Sequence, residues 1–212
     1  MEITWLGHSC FRLKGKEASV ITDPYADTLG RSLGKIEATL VTVSNDHPHH
    51  NNVAAVAGAV RTIRGPGEYE VAHVLVTGVP TYHDAVKGKE LGKNVVYLIE
   101  MDDVRVCHLG DLGHTLSSKE IADLGAIDVL LVPVGGVCTI NASTAAEVIG
   151  ALEPKLVVPM HYPTTDTKVN LEPLERFLKA MGLSNVQPLA RLSVTASNVP
   201  QQTQVVVLQP VQ

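Results

Sequence analysis

ATLVTVSNDHPHHNN (38–52) opens on an unbroken apolar and β-branched run and ends in a polar, proline-broken stretch. A run such as 38–43 suits a strand buried on both faces, which is the habit of parallel sheets flanked by other layers. The segment after it is too polar and too interrupted for either helix or strand, so it reads as a loop at a strand end. It carries Asn45, His47, His49 and His50. In α/β sheets, loops at strand ends from separate segments converge on sites.

The same arrangement recurs along the chain. His83 follows a strand expected over 72–79, Asp111 follows 104–109, and His161 follows 155–160. Imidazole and carboxylate are the donors that a borderline cation such as Zn²⁺ takes. Two imidazoles on one short loop lower the entropy of assembling such a site, and distant ligands then tie the ion to the fold.

Around these points the first third reads as short strands at 3–6, 10–13 and 19–22, the last stopping at Asp23-Pro24. Residues 52–60 read as a short helix, and 62–79 as two strands around a Gly-Pro-Gly turn. Later, 94–100 and 104–109 form a hairpin through Asp102-Asp103, and 128–134 and 155–160 are buried strands. Ser117 with Glu120 makes a capping box for a helix closed by Gly125. Further helices are expected over 141–154 and 171–182, and two short strands at 192–195 and 204–208. No linker divides residues 1–212, so the chain reads as one α/β domain. Two sheets with helices outside make a four-layer αββα sandwich.

Composition narrows the function. The 212 residues are 45% hydrophobic and 18% charged, with a net charge of −5 and 4% aromatics. An acidic, aromatic-poor chain argues against nucleic-acid binding. No apolar run approaches the ~18 residues of a membrane span, and the N-terminus lacks the pattern of a signal peptide. Three cysteines, Cys10, Cys107 and Cys138, are too few for a disulfide framework and favour a reducing cytoplasm. The alanine- and valine-rich segment 52–60 offers apolar surface for self-association into a homo-oligomer, or else is an ordinary core helix.

VTVSNDHPHHNN (41–52), VPTYHDAVKGKELGKN (79–94), CHLGDLGH (107–114) and VVPMHYP (157–163) together resemble the successive motifs of the metallo-β-lactamase-fold hydrolases. TWLGHSCFRL (4–13) and ITDPY (21–25) fit the opening of a small branch related to the ascorbate-6-phosphate lactonases. The resemblance runs from about residue 3 to 165.

It implies a metal-dependent hydrolase of a small ester, lactone or phosphodiester. The implied ligands are His47, His49, His50, His83, Asp111 and His161, with Asp111 and His49 as catalytic groups. The superfamily's His-x-His-x-Asp-His motif falls on Asn45, His47, His49 and His50, so two of its positions differ. The cofactor implied is one or two divalent ions, Zn²⁺ first, with Ni²⁺, Mn²⁺ or Fe as alternatives. Because Asn45 is a weak neutral ligand, one tightly held ion per chain is expected, at the site of His50, His161 and Asp111. The altered motif also suits a second reading, a metal- or ligand-binding protein with little turnover. Several residues carry two readings. Asn45 either bonds the loop backbone or faces a metal, His8 either lines the pocket or caps a strand, and Asp23 either orients a ligating imidazole or simply forms a turn.

Overall fold

The computed structural model describes residues 1–58 and 61–211. The first half supplies β1 (Glu2–Gly7), β2 (Cys10–Lys14), β3 (Ser19–Thr22), β4 (Ile36–Glu37), β5 (Leu40–Val43), β6 (Val56–Ala57) and β7 (Arg61–Arg64). Then come β8 (Gly67–Val71), β9 (Val74–Tyr82), β10 (Lys93–Met101), β11 (Val104–His108), α1 (Ser118–Leu124) and β12 (Val129–Pro133). α2 (Ala142–Leu152), β13 (Leu156–Met160), α3 (Leu174–Ala180), β14 (Leu192–Ser193) and β15 (Gln204–Val205) complete the order.

Two mixed sheets result. The first has the order β14-β1-β2-β3-β5-β7 and the second β15-β13-β12-β11-β10-β9-β8. All four residues of β5 are buried, and the strand runs parallel to β3 and β7, as its continuous apolar pattern requires. β12 and β13 are likewise buried along their whole length and parallel to each other. Parallel neighbours need a crossover, and α2 provides it. Its Asn141 cap accepts a bond from the Thr144 N–H at 3.0 Å. The α1 capping box is formed by Ser117 and Glu120, with Gly125 ending the helix.

Strand alternation sorts the first sheet's side chains into two faces. Ile3, Trp5, Phe11, Leu13, Val20 and Leu40 share one continuous core with the second sheet and the helices. Leu6, Cys10, Ile21, Val41 and Val43 form a separate cluster with Tyr25, Leu29 and Val56. The αββα sandwich expected from the sequence is thus present. Its layer over the first sheet is built from the 3₁₀ turn Asp27–Leu29 and the two-stranded β4–β6 ribbon.

Two local readings need correction. Residues 52–58 do not form the α-helix expected over 52–60: Val53–Ala55 is a 3₁₀ turn, and Val56–Ala57 pairs in parallel with Ile36–Glu37, while Ala59 and Val60 lie outside the described residues. Sheet pairing outweighs the weak helical pattern here. Residues 62–79 hold parts of three strands. Gly65-Pro66 separates β7 from β8, which lie in different sheets, and Ala72-His73 turns β8 into β9 with both residues at positive φ. That turn lacks the Asn or Gly that normally signals it. Among the described residues no helix is long and apolar enough to cross a membrane.

Candidate metal centre

The site lies where the ends of β1, β5, β9, β11 and β13 meet. His8 follows β1, Asn45 to His50 follow β5, His83 follows β9, Asp111 follows β11 and His161 follows β13. His8, His50 and His161 are buried, and one ring nitrogen from each lies within 4.8 Å of the others. The His8 and His161 rings are 4.0 Å apart between centroids, and the His161 N–H donates to the His8 carbonyl at 3.1 Å. That bond joins the two sheets at the site itself.

Asp111 is the hub. Its Oδ2 lies 2.8 Å from His50 Nε2 and 3.4 Å from His83 Nε2, and its Oδ1 lies 3.3 Å from His161 Nε2. Buried Asn94 holds the Asp111 loop: its Oδ1 accepts the Asp111 N–H at 2.9 Å, while its Nδ2 donates to Thr81 Oγ1 and the Leu109 carbonyl. The Asn45 amide makes three bonds, donating to Asp111 Oδ2 at 3.2 Å and to Ser44 Oγ at 3.3 Å and accepting the His47 N–H at 3.0 Å.

Asp23 stands behind His50. Its Oδ2 is 2.8 Å from His50 Nδ1, and its two oxygens also accept the Ser44 N–H at 2.8 Å and the Ser44 hydroxyl at 2.5 Å. A carboxylate at Nδ1 fixes the ring so that Nε2 faces inward, the role expected of an outer partner. Three of these buried polar residues, His8, Asp23 and His161, have positive φ values of 54°, 40° and 57°. Such conformations cost non-glycine residues about 1–3 kcal/mol each and collect at functional sites. Two glycines let the loops close in: a Cβ on Gly135 would meet the His161 carbonyl, and one on Gly113 the His83 backbone.

The electrostatics follow from burial. Burial, then the charges of His161 and His50, hold the His8 imidazole well below its ordinary value. Burial is also the main reason that His161 falls to about 4. His50 goes the other way. Burial opposes its charge, but the Asp111 and Asp23 carboxylates outweigh that and push it up to about 10. Asp111 is held well below the usual carboxylate range; its own burial works against this, and the His50 and His161 charges overcome it.

Four buried polar atoms here lack a hydrogen-bond partner among the described residues: His8 Nδ1, His83 Nε2, His161 Nδ1 and Asp111 Oδ1. Proximity without hydrogen-bond geometry leaves these donors unspent. Unpaired buried polar atoms are costly, and a set rich in imidazole and carboxylate is what a divalent cation satisfies.

The sequence-derived residues divide accordingly. His50, His83, Asp111 and His161 come together. His47 and His49 sit toward the rim: His47 is exposed and His49 half-buried, with their rings 4.7 Å apart. The His49 ring is 5.7 Å from that of His8, and it is outside the three-histidine cluster. Sequence reasoning left His8 open between lining and capping and did not foresee Asn94 or Ser44. The strand-end pattern that found the others applies equally to β1, which stops at Gly7-His8. His108 is buried, and its Nε2 lies 2.8 Å from the Ser9 carbonyl; it is outside the three-histidine cluster.

The sequence model described as the beta-lactamase superfamily domain matches residues 2–161. The chain belongs to this superfamily. Its relatives include a UPF0173 protein of Pyrococcus abyssi, 33% identical over 187 residues, covering 77% of this chain and 84% of that one. A UPF0173 metal-dependent hydrolase of Pyrococcus horikoshii is 29% identical over 193 residues, covering 77% and 85%. Among solved structures, a candidate Zn-dependent hydrolase of the metallo-β-lactamase superfamily from Thermotoga maritima superposes with a TM-score of 0.81 at 39% identity, covering 98% of this chain and 97% of that one. The two mixed sheets and the strand-end site are therefore the metallo-β-lactamase fold.

The Asp23 contacts give a first expected result. Asp23→Asn keeps the side chain's size but removes the charge that fixes His50. Metal affinity falls by about 10–100-fold, the usual effect of losing an outer partner. Competition against a chromogenic chelator measures it, and an affinity equal to that of the natural chain would rule out an orienting role.

Proposed function

We propose that the chain is a metal-dependent hydrolase of a small ester, lactone or phosphodiester. The observation that carries this is the convergence of His8, His50 and His161 around Asp111, with buried polar atoms of His8, His161 and Asp111 left without hydrogen-bond partners among the described residues. The names of its relatives agree with it. His50, His161 and Asp111 would hold the ion, with His8 completing the set and His83 and His47 toward the open side. A divalent cation held there, Zn²⁺ before Ni²⁺, Mn²⁺ or Fe, would supply a more acidic water, with a pKa toward ~7, and a Lewis acid for the bond to be cleaved. Within the protein, Asp23 fixes the His50 ring, Asn94 fixes the Asp111 backbone, and Asn45 fills one lone pair of Asp111. His49, at the rim, is placed to exchange a proton with solvent. Residues 1–212 act as one unit in this reading, since β14 and β15 extend the two sheets at β1 and β13. The free thiols of Cys10, Cys107 and Cys138 suit a reducing compartment such as the cytoplasm.

Elemental analysis combined with an esterase, lactonase and phosphodiesterase screen tests it. About one ion per chain and turnover in one substrate class support it. Full metal loading without turnover favours the second reading, a metal-binding protein with little activity. The observation behind that reading is the Asn45 amide, which is engaged with Asp111 instead of supplying an imidazole.

That substitution gives the next expected result. Asn45→His restores an imidazole beside His47 and His83. Metal content should rise from about one ion toward two, a count that follows from restoring a ligand. Unchanged content would mean that Asn45 is not what limits the second position.

A further inference from the structure

A cleft of about 760 Å³ opens beside the histidine cluster, with Asn45, His47 and His83 on its inner side. That volume suits a small molecule. Val43, Val95, Pro66 and Leu91 give it apolar walls, and Arg64 and Lys93 are its two cationic residues. Leu91 is 49% exposed, a large apolar side chain left open at the mouth.

The charge of this cleft is opposite to that of the chain. The whole chain carries −5, yet two cations here face a single lining carboxylate, Asp46. Asp46 lies 3.5 Å from Arg64 and is itself held by the Asn51 amide at 3.0 Å. Both partners of that ion pair are open to solvent, so it is worth only about 0–1 kcal/mol and is readily exchanged. Among the described residues no carboxylate lies within 4.0 Å of the Lys93 ammonium.

Both cations stand on fixed backbone. Arg64 ends β7 opposite Val43 of β5, and the next N–H, that of Gly65, donates to the Tyr97 hydroxyl at 3.1 Å. Lys93 opens β10 opposite Tyr82 of β9. The loop before it is held by Asp84, whose two oxygens accept four backbone N–H groups, from Val86, Gly88, Glu90 and Leu91, at 2.7–3.0 Å.

We infer that this cleft selects a small substrate with an apolar body and an anionic group, carboxylate or phosphate, remote from the bond that is cleaved. The anion pairs with Arg64 and Lys93, the body lies on Val43, Val95 and Leu91, and the labile bond points toward His83 and the cluster. This rests on the hydrolase reading of the same site. Arg64 supplies the planar fork that matches carboxylate or phosphate, and Lys93 adds a point charge.

The test is calorimetric binding to the metal-loaded protein, with phenylacetate and phenylphosphonate as anionic probes and benzyl alcohol as the neutral one. The chains compared are the natural one, Arg64→Gln and Lys93→Gln, each checked for unchanged metal content and circular dichroism. The natural chain should prefer at least one of the anions to the alcohol. Each substitution should weaken that anion about tenfold, as loss of a charged hydrogen bond does, and leave the alcohol unaffected. The preferred probe distinguishes a carboxylate from a phosphate substrate. Anion affinity that is absent, no higher than that of the alcohol, or unchanged in both variants overturns the proposal; the last result would assign the anions to the cation alone. Charge-dependent binding with no turnover of any ester, lactone or phosphodiester would remove the hydrolase reading and leave the cleft assignment. Equal kcat/KM for neutral and anionic esters in all three chains would do the reverse.

Discussion

Asp111→Ala should leave a folded chain that retains no metal after dialysis and has no measurable hydrolysis. Asp111 lies within 3.4 Å of three imidazoles, those of His50, His83 and His161, and it also accepts the Asn45 amide. Its removal takes away the negative charge that a cation needs at the centre of the cluster. The effect should exceed the ~100-fold that loss of an outer partner costs. Asp111→Asn separates charge from shape, since an amide of the same size can still bond Asn45 and His50. It too should lose the ion if charge is what matters. His161→Ala should behave similarly toward metal. Elemental analysis after exhaustive dialysis reads all three, and an equimolar ion retained by Asp111→Ala would refute the assignment of the hub.

Trp5→Ala should cost about 3–5 kcal/mol, the range for deleting a large aromatic from a core. Trp5 is fully buried, with its ring centroid 4.9 Å from that of Tyr162 and 6.3 Å from that of Phe11. Its indole N–H also donates to the His8 carbonyl at 2.9 Å, which makes it a strut between the core and the site. At roughly 2–4 °C per kcal/mol for a chain of this size, the melting temperature should fall by about 10 °C. Trp5→Phe keeps much of the packing and loses the bond to His8, so its smaller loss should be accompanied by weaker metal retention. A melting temperature within a degree or two of the natural chain for Trp5→Ala would contradict the packing seen here.

The order of buried strands was legible because their patterns are unambiguous. SVIT at 19–22 is β3 to the residue, and the Ser117–Glu120 box marks the start of α1. Residues 52–60 misled because short alanine- and valine-rich segments suit helix and strand alike, and a two-residue pairing with Ile36–Glu37 decides between them. At the site, strand ends pointed to His50, His83, Asp111 and His161, because a polar residue after a buried run is easy to see. Asn94 was illegible for the opposite reason. It is the second residue of β10, between Lys93 and Val95, and its role appears only when Thr81, Leu109 and Asp111 are brought around it. Arg64 and Lys93 stand at the ends of strands in different sheets, so no local spacing could join them.

The bond between the His161 N–H and the His8 carbonyl has a kinetic meaning. It links the turn after β1 to the residue that follows β13, far along the chain. Contacts of such sequence separation require closure of a long loop before they return any stabilisation, and they form slowly. The cluster should therefore be among the last features to appear during refolding, and metal capture becomes a clock for that final event. A chain arrested with its halves undocked would have native-like strands and no affinity for the ion.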